Sequence, residues 1–235
     1  MCRHSILSRA ESGSVSVYPL KHRELRRQDL FKREWAVSPD GQYYDRSDGR
    51  PFSTEFSHSR FLVPALAKRM GLAGWVMFVD CDFLFLADVR ELLCGLDPAW
   101  AAACVKHDFR QESDTTKMDG VVQQAYFRKL WSSLLLLNLG HPDVAGLTPY
   151  QVNMQAGSWL HALTWVRDDG QIGGLPEEWN WIPGHSPDDL DPKAVHFSFG
   201  GVWLGDQYAD VPKTGLWVEE YRKFLIAEGL SLSLA

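Results

Sequence analysis

Two aspartates one residue apart, Asp80 and Asp82, end the apolar run Val76-Met77-Phe78-Val79 and are the first residues here whose placement suggests chemistry. They are followed at once by Phe83-Leu84-Phe85-Leu86. In so apolar a neighbourhood unpaired carboxylates are costly, and a divalent cation would relieve them. Oxygen ligands of this kind suit Mg²⁺ or Mn²⁺, which keep open positions for the phosphates of a substrate. The competing reading has one aspartate capping the next element and the other paired with an arginine. Spacing alone decides little, because 19 aspartates among 235 residues generate such pairs by chance. Asp189-Leu190-Asp191 is the internal comparison: it lies between Pro187 and Pro192 with no apolar strand before it and reads as a turn. What sets Asp80 and Asp82 apart is their place at the carboxyl end of a strand, where open α/β sheets bind ligands.

The elements that would carry this pair read as helix, then strand. Phe61, Leu62, Ala65, Leu66 and Met70 recur at helical spacing from a start near Ser57. Pro64 falls near the first turn, where it is tolerated, and Gly71 sits where a helix end favours a residue without Cβ. Gly74 to Val79 is a short continuous apolar run, the pattern of a parallel strand buried on both faces. Ala101 to Val105 and Leu134 to Leu139 repeat it. Thr148-Pro149 predicts a helix start running to about Trp159, and Trp217 to Glu228 a closing helix. Upstream, Cys2 to Ala10 reads as the end of a short helix and Val15 to Leu20 alternates like a strand. Residues 21–56 are charge-rich, with turn signals at Pro39-Asp40-Gly41 and Ser47-Asp48-Gly49-Arg50-Pro51 around a hairpin at Gln42 to Asp45; by composition they form a surface insertion. The alternation predicts an α/β, Rossmann-like fold: a mixed, mostly parallel central sheet flanked by helices. No linker divides the chain, so residues 1–235 are expected to form one domain, with 215–235 as C-terminal helix and tail.

Composition excludes some partners. A net charge of −6 argues against a nucleic-acid surface, which needs clustered Lys and Arg. The four cysteines (Cys2, Cys81, Cys94, Cys104) show no CxxC pair and read as free thiols, which favours a reducing compartment and a cytoplasmic location. No apolar run approaches the ~20 residues of a membrane span, so no transmembrane segment is expected, while peripheral contact with a membrane stays open. Ten tryptophans and seven tyrosines are many for this length; those outside the core often line sugar and nucleotide sites.

Further stretches sharpen the reading. Ser57-His58-Ser59-Arg60-Phe61-Leu62-Val63-Pro64, Met77 to Phe85, Ser132-Ser133-Leu134-Leu135-Leu136-Leu137-Asn138, Leu175-Pro176-Glu177-Glu178-Trp179-Asn180, and Val195-His196-Phe197 with Gly200 come in that order over roughly residues 57 to 200. Together they closely resemble the retaining glycosyltransferase family that includes glycogenin and bacterial lipopolysaccharide galactosyltransferases. The resemblance implies that Asp80, Asp82 and His196 bind a divalent ion, usually Mn²⁺, bridging the diphosphate of a UDP-sugar donor, and that Arg60 helps hold the donor. Asn138, at a strand end, is a candidate for donor-sugar hydroxyls, with a loop-capping amide as the equal alternative. Asn180 could face the sugar or acceptor, and Trp179 is better read as packing.

The sequence also departs from the family. It is expected to lack the family's usual opening strand, whose Asp-containing turn cradles uracil. Gly201, Val202 and Trp203 stand where the family tends to place a diphosphate-binding lysine, which leaves Lys213 as the substitute candidate. The family's Asp-Gln pair is not evident, since Gln155 lacks the preceding Asp. The leading expectation is transfer of a hexose from a UDP-sugar to an acceptor hydroxyl on a glycan, lipid-linked or protein acceptor, with retained anomeric configuration. The alternatives are a catalytically inactive glycan- or nucleotide-binding domain and a sugar nucleotidyltransferase; the latter expects a Gly-rich phosphate loop and an early lysine, and neither is seen.

Overall fold

The computed structural model describes residues 1–52, 54–108, 115–116, 122–123 and 128–230. In chain order these hold helices α1 (Cys2–Arg9), α2 (His22–Arg27), α3 (Val63–Arg69), α4 (Pro142–Gly146), α5 (Pro149–Met154), α6 (Gly157–His161) and α7 (Thr214–Ala227). The strands are β1 (Trp35–Val37), β2 (Tyr43–Asp45), β3 (Pro51–Phe52), β4 (Trp75–Val79), β5 (Phe83–Phe85), β6 (Ala102–Val105), β7 (Thr115–Thr116), β8 (Val122–Gln123), β9 (Leu134–Asn138), β10 (Ile172–Leu175) and β11 (Ala194–His196). No described helix is long and apolar enough to cross a membrane.

Where the sequence, having no linker, reads as one domain, the chain divides into two compact units. One comprises Pro19–Val79 and Gly95–Leu175; the other comprises Met1–Tyr18, Asp80–Cys94 and Pro176–Ala235. Three of the crossings fall at or near the ends of ordinary elements and one, Tyr18–Pro19, in irregular chain, and none carries a Gly-Ser or Pro-rich spacer, so composition does not mark them.

The first unit is built on a sheet of order β10-β6-β9-β4. β6 and β10 pair in parallel, while β9 runs antiparallel to both β6 and β4. Three of the four strands therefore share one direction, the mixed and mostly parallel sheet expected. β6 is buried along its whole length, and so are Leu134 to Leu137 of β9, because each strand has neighbours on both sides. β4 differs from expectation. It lies at the sheet edge, and all five of its residues are only partly buried.

In the region 21–56, expected as a surface insertion, Leu25, Leu30 and Phe31 enter the same core as Phe61, Leu62 and the sheet, and the predicted hairpin is the centre of a β1-β2-β3 antiparallel meander. Part of its charge is buried and self-compensating: Arg33 and Asp45, 5% and 2% exposed, pair with each other. Thr148 accepts from the Gln151 amide and caps α5, as its sequence suggests, but the helix breaks at Gln155 and restarts as α6.

The second unit is smaller. β5 and β11 pair antiparallel, with His196 opposite Phe83, and Trp181 bridges to Val195. Leu84, Trp181, Val195 and Phe197 form its core, with Leu216 and Trp217 of α7 packed against it. α1 is fixed to β5 through Ser5, whose hydroxyl accepts from the Phe85 amide at 3.1 Å. Val15 to Leu20 forms no strand. The predicted closing helix is α7, and residues 231–235 of the tail lie outside the described residues.

Candidate metal centre

All the residues of the acidic site belong to the second unit. Asp80, Cys81 and Asp82 form the turn that enters β5, and β11 brings His196 opposite Phe83. One oxygen from each aspartate and one imidazole nitrogen of His196 lie within 4.8 Å of one another. His196 Nε2 is 3.5 Å from Asp82 Oδ1, and the Phe197 amide donates to the Asp82 carbonyl at 3.1 Å, closing the turn against β11. By contrast Asp188 to Leu190 lie in a turn, as the comparison pair was read.

The imidazole is held on three sides. Its Nδ1 is 2.9 Å from Asn180 Oδ1, an atom that can only accept, so Nδ1 carries a proton and Nε2 is the nitrogen turned toward Asp82. Phe83 stacks on the ring at 4.2 Å with 16° between planes. The His196 amide donates to the Trp181 carbonyl. His196 is 2% exposed and Asn180 0%, so neither ring nor amide has room to turn. An outer partner that fixes tautomer and orientation is the usual companion of a metal-binding histidine. The donor set, two carboxylates and one imidazole at one corner of a turn, has the composition that holds a divalent ion while leaving positions open.

The intervening Cys81 is an exposed thiol, and desolvation by the atoms packed beneath it, then the flanking carboxylates of Asp82 and Asp80, raise it above the ordinary value. Burial likewise pushes Cys2 up to about 12, with Cys81, Asp82 and Asp80 adding to it. All four cysteines are free thiols.

The other predicted residues take different places. Asn180, expected to face the sugar or acceptor, is wholly buried and lies with Oδ1 2.9 Å from His196 Nδ1. Asn138 is the loop-capping amide: Nδ2 donates to the Pro98 and Trp100 carbonyls and Oδ1 accepts from the Gly140 amide, all at 3.0–3.1 Å. It pairs with Trp75, at the opposite end of β4 from Val79, because β9 runs antiparallel to β4 and its carboxyl end meets the start of that strand. Arg60, in the first unit, donates from Nε to the Ser57 carbonyl and from Nη1 to the Ser132 carbonyl, both at 2.8 Å. Its guanidinium lies 4.8 Å from the Phe78 ring centroid. Lys213 caps α7 in the left-handed region (φ 66°), with Nζ 5.5 Å from the Trp181 ring.

One buried polar chain in the first unit has no signature in the sequence, its members coming from four separate segments. Ser132 Oγ lies 2.9 Å from His161 Nδ1, and His161 Nε2 lies 3.1 Å from His58 Nδ1. His58 Nε2 approaches Asp45 Oδ2 at 3.3 Å, off the line of a good hydrogen bond, so that link is electrostatic more than directional. One proton order fits throughout with both imidazoles neutral: Ser132 donates to His161, His161 to His58, and His58 points its proton at Asp45. Arg33 Nε donates to Asp45 at 2.9 Å and Nη1 to the Val152 and Gln155 carbonyls. Burial, reinforced by Arg33, lowers the pKa of His58. Burial alone would raise Asp45, but the close approach of His58 and the hydrogen bonds from Ser47 and Arg33 overcome it and hold the carboxyl well below its ordinary range.

No protein-family model matches the chain. It is 42% identical over 229 residues to Protein CDI of Arabidopsis thaliana, covering 95% of this chain and 81% of that protein. The chain belongs to the Protein CDI family. That name specifies no chemistry. Among solved structures the chain is similar to the apo bifunctional glycosyltransferase WbbM, at 20% identity and TM-score 0.45, over 74% of this chain and 38% of that one. It is also similar to the galactosyltransferase LgtC in complex with donor and acceptor sugar analogues, at 16% identity and TM-score 0.45, over 72% and 66%. A third is mouse xyloside xylosyltransferase 1, at 16% and 0.37, over 62% and 66%. In each case the chain spans less than two thirds of the solved protein.

Proposed function

We infer that this member of the Protein CDI family is a metal-dependent glycosyltransferase that moves a hexose from a UDP-sugar to an acceptor hydroxyl, with retention of configuration. The observation that carries the reading is the convergence of Asp80, Asp82 and His196 within 4.8 Å, with Asn180 dictating which nitrogen His196 presents. The ordered motifs from Ser57 to Gly200 that resemble the glycogenin-type family supply the substrate class.

Asp80, Asp82 and His196 would hold Mn²⁺ or Mg²⁺, which when bound supplies Lewis acidity and a template for the diphosphate leaving group. The rest falls to the chain. Asn180 keeps the proton on Nδ1 and so keeps Nε2 available. Phe83 covers one face of the imidazole and excludes water from it. Arg60 and Lys213 are the cations assigned to the donor, and Lys213 lies in the same unit as the acidic turn. No nucleophilic side chain is required, since the departing diphosphate can accept the proton of the acceptor hydroxyl.

Calorimetry with UDP and Mn²⁺ tests the proposal. The wild type binds UDP only when Mn²⁺ is present, and Asp82→Ala abolishes that binding while the far-UV circular dichroism stays unchanged. Metal-dependent UDP binding retained in Asp82→Ala refutes the site; UDP binding indifferent to Mn²⁺ refutes the metal dependence.

A further inference from the structure

A row of aromatic rings leaves the metal centre and reaches the surface of the same unit. Phe197 follows His196 directly and is tied by its amide to the Asp82 carbonyl. Trp203 meets Phe197 edge-on at 5.6 Å, Trp217 lies 5.2 Å from Trp203, Tyr221 stacks 5.2 Å from Trp217 at 22°, and Phe224 continues the stack at 6.3 Å. The last three occupy positions i, i+4 and i+7 of α7, one stripe of the helix. Packing accounts for the inner members, which touch the Leu84–Trp181–Val195–Phe197 core. It does not account for Trp203 and Tyr221, which are 41% and 38% exposed.

Trp203 is also set in a definite place. A Cβ on Gly201 would fall 2.3 Å from Cζ3 of the indole, so the six-membered ring packs closely against the bare backbone of Gly201. Flat apolar faces with a polar N–H or O–H at the rim match a pyranose ring, which offers C–H groups on its faces and hydroxyls around its edge. A membrane-lying helix expects an apolar face opposed by an excess of Lys and Arg. α7 carries Glu219 and Glu220 against Arg222 and Lys223, with no cationic excess.

The geometry points to Trp203 and Tyr221, backed by Trp217, as the acceptor subsite of the proposed transferase: Trp203 stacks on a sugar ring of a carbohydrate acceptor, and Tyr221, whose faces are stacked by Trp217 and Phe224, meets it with its exposed edge and hydroxyl. This rests on the metal-centre reading above for its role in transfer, though not for the binding itself.

The test uses the full chain with UDP and Mn²⁺ on a broad glycan array, followed by affinity measurement on the oligosaccharides that bind. The wild type binds one oligosaccharide class. Trp203→Ala and Tyr221→Ala each weaken that binding about tenfold or more, Trp203→Phe retains most of it, and all three variants bind Mn²⁺–UDP as the wild type does. Wild type that binds Mn²⁺–UDP but no glycan overturns the proposal, as do alanine variants with unchanged glycan affinity. Flotation with phosphatidylcholine–phosphatidylserine vesicles that Trp203→Ala abolishes overturns it in favour of a membrane contact. Loss of Mn²⁺–UDP binding alongside intact, Trp203-dependent glycan binding sinks the donor reading and upholds the platform.

Discussion

Replacing Asn180 by alanine tests whether His196 is built to be a ligand. The amide oxygen accepts from His196 Nδ1 at 2.9 Å in a place where His196 is 2% exposed and Asn180 0%. Its removal leaves a buried N–H without a partner, a loss of roughly 1–3 kcal/mol. A neutral imidazole relieved of that bond can move its proton to Nε2, where Asp82 Oδ1 waits 3.5 Å away, and a protonated Nε2 cannot bind a metal. Removing such an outer partner typically lowers metal affinity by about 10–100-fold. At about 1.4 kcal/mol per tenfold this is roughly 1.4–2.8 kcal/mol, the same size as the lost bond. Mn²⁺ titration in the presence of UDP measures it, with urea unfolding as the control for global damage. Asn180→Asp, which restores an acceptor to Nδ1, recovers most of the affinity. Wild-type Mn²⁺ affinity in Asn180→Ala would falsify the account of His196, whatever happens to stability.

Other predictions concern the first unit. Arg33→Ala strands the buried Asp45 carboxylate and costs roughly 3–5 kcal/mol in urea unfolding. His58 has its folded-state pKa lowered from 6.5, so the unfolded chain takes up the proton first; stability is complete above that value and declines as pH falls below it. Urea midpoints followed from about pH 7 to about pH 5 check this, and a flat profile contradicts it. The Asp45 contribution, from a carboxyl held low, persists until far more acidic pH. Gly173→Ala puts a Cβ 2.1 Å from Cε3 of Trp100 and forces that indole to move, for about 1–3 kcal/mol and a changed near-UV dichroism spectrum.

The centre of the sheet was legible because burial on both sides writes itself as unbroken apolar runs, Ala102 to Val105 and Leu134 to Leu137. β10 was not, since Gly173 and Gly174 interrupt its apolar pattern where the indole of Trp100 packs on the strand. The acidic pair and His196 could be named from motif order. The true place of Asn180 could not, because a buried amide that braces a histidine and one that meets a sugar look alike in one dimension. The Asp45–His58–His161–Ser132 chain left no local trace for the same reason: each member reads alone as an ordinary polar residue. Val15 to Leu20 shows the converse failure, a strand-like alternation that the chain does not take up as a strand.

The second unit gathers three stretches of chain, and its ligand set joins Asp82 to a histidine 114 positions later. The first unit is complete in sequence once Leu175 has been made. During synthesis the carboxylates therefore emerge long before the imidazole that completes them, and contacts of such sequence separation form late. Until Asn180 and His196 arrive, a growing chain carries the two aspartates alone, so the proposed cation site would be assembled only after the second unit's last stretch, Pro176 onward, has begun to be made.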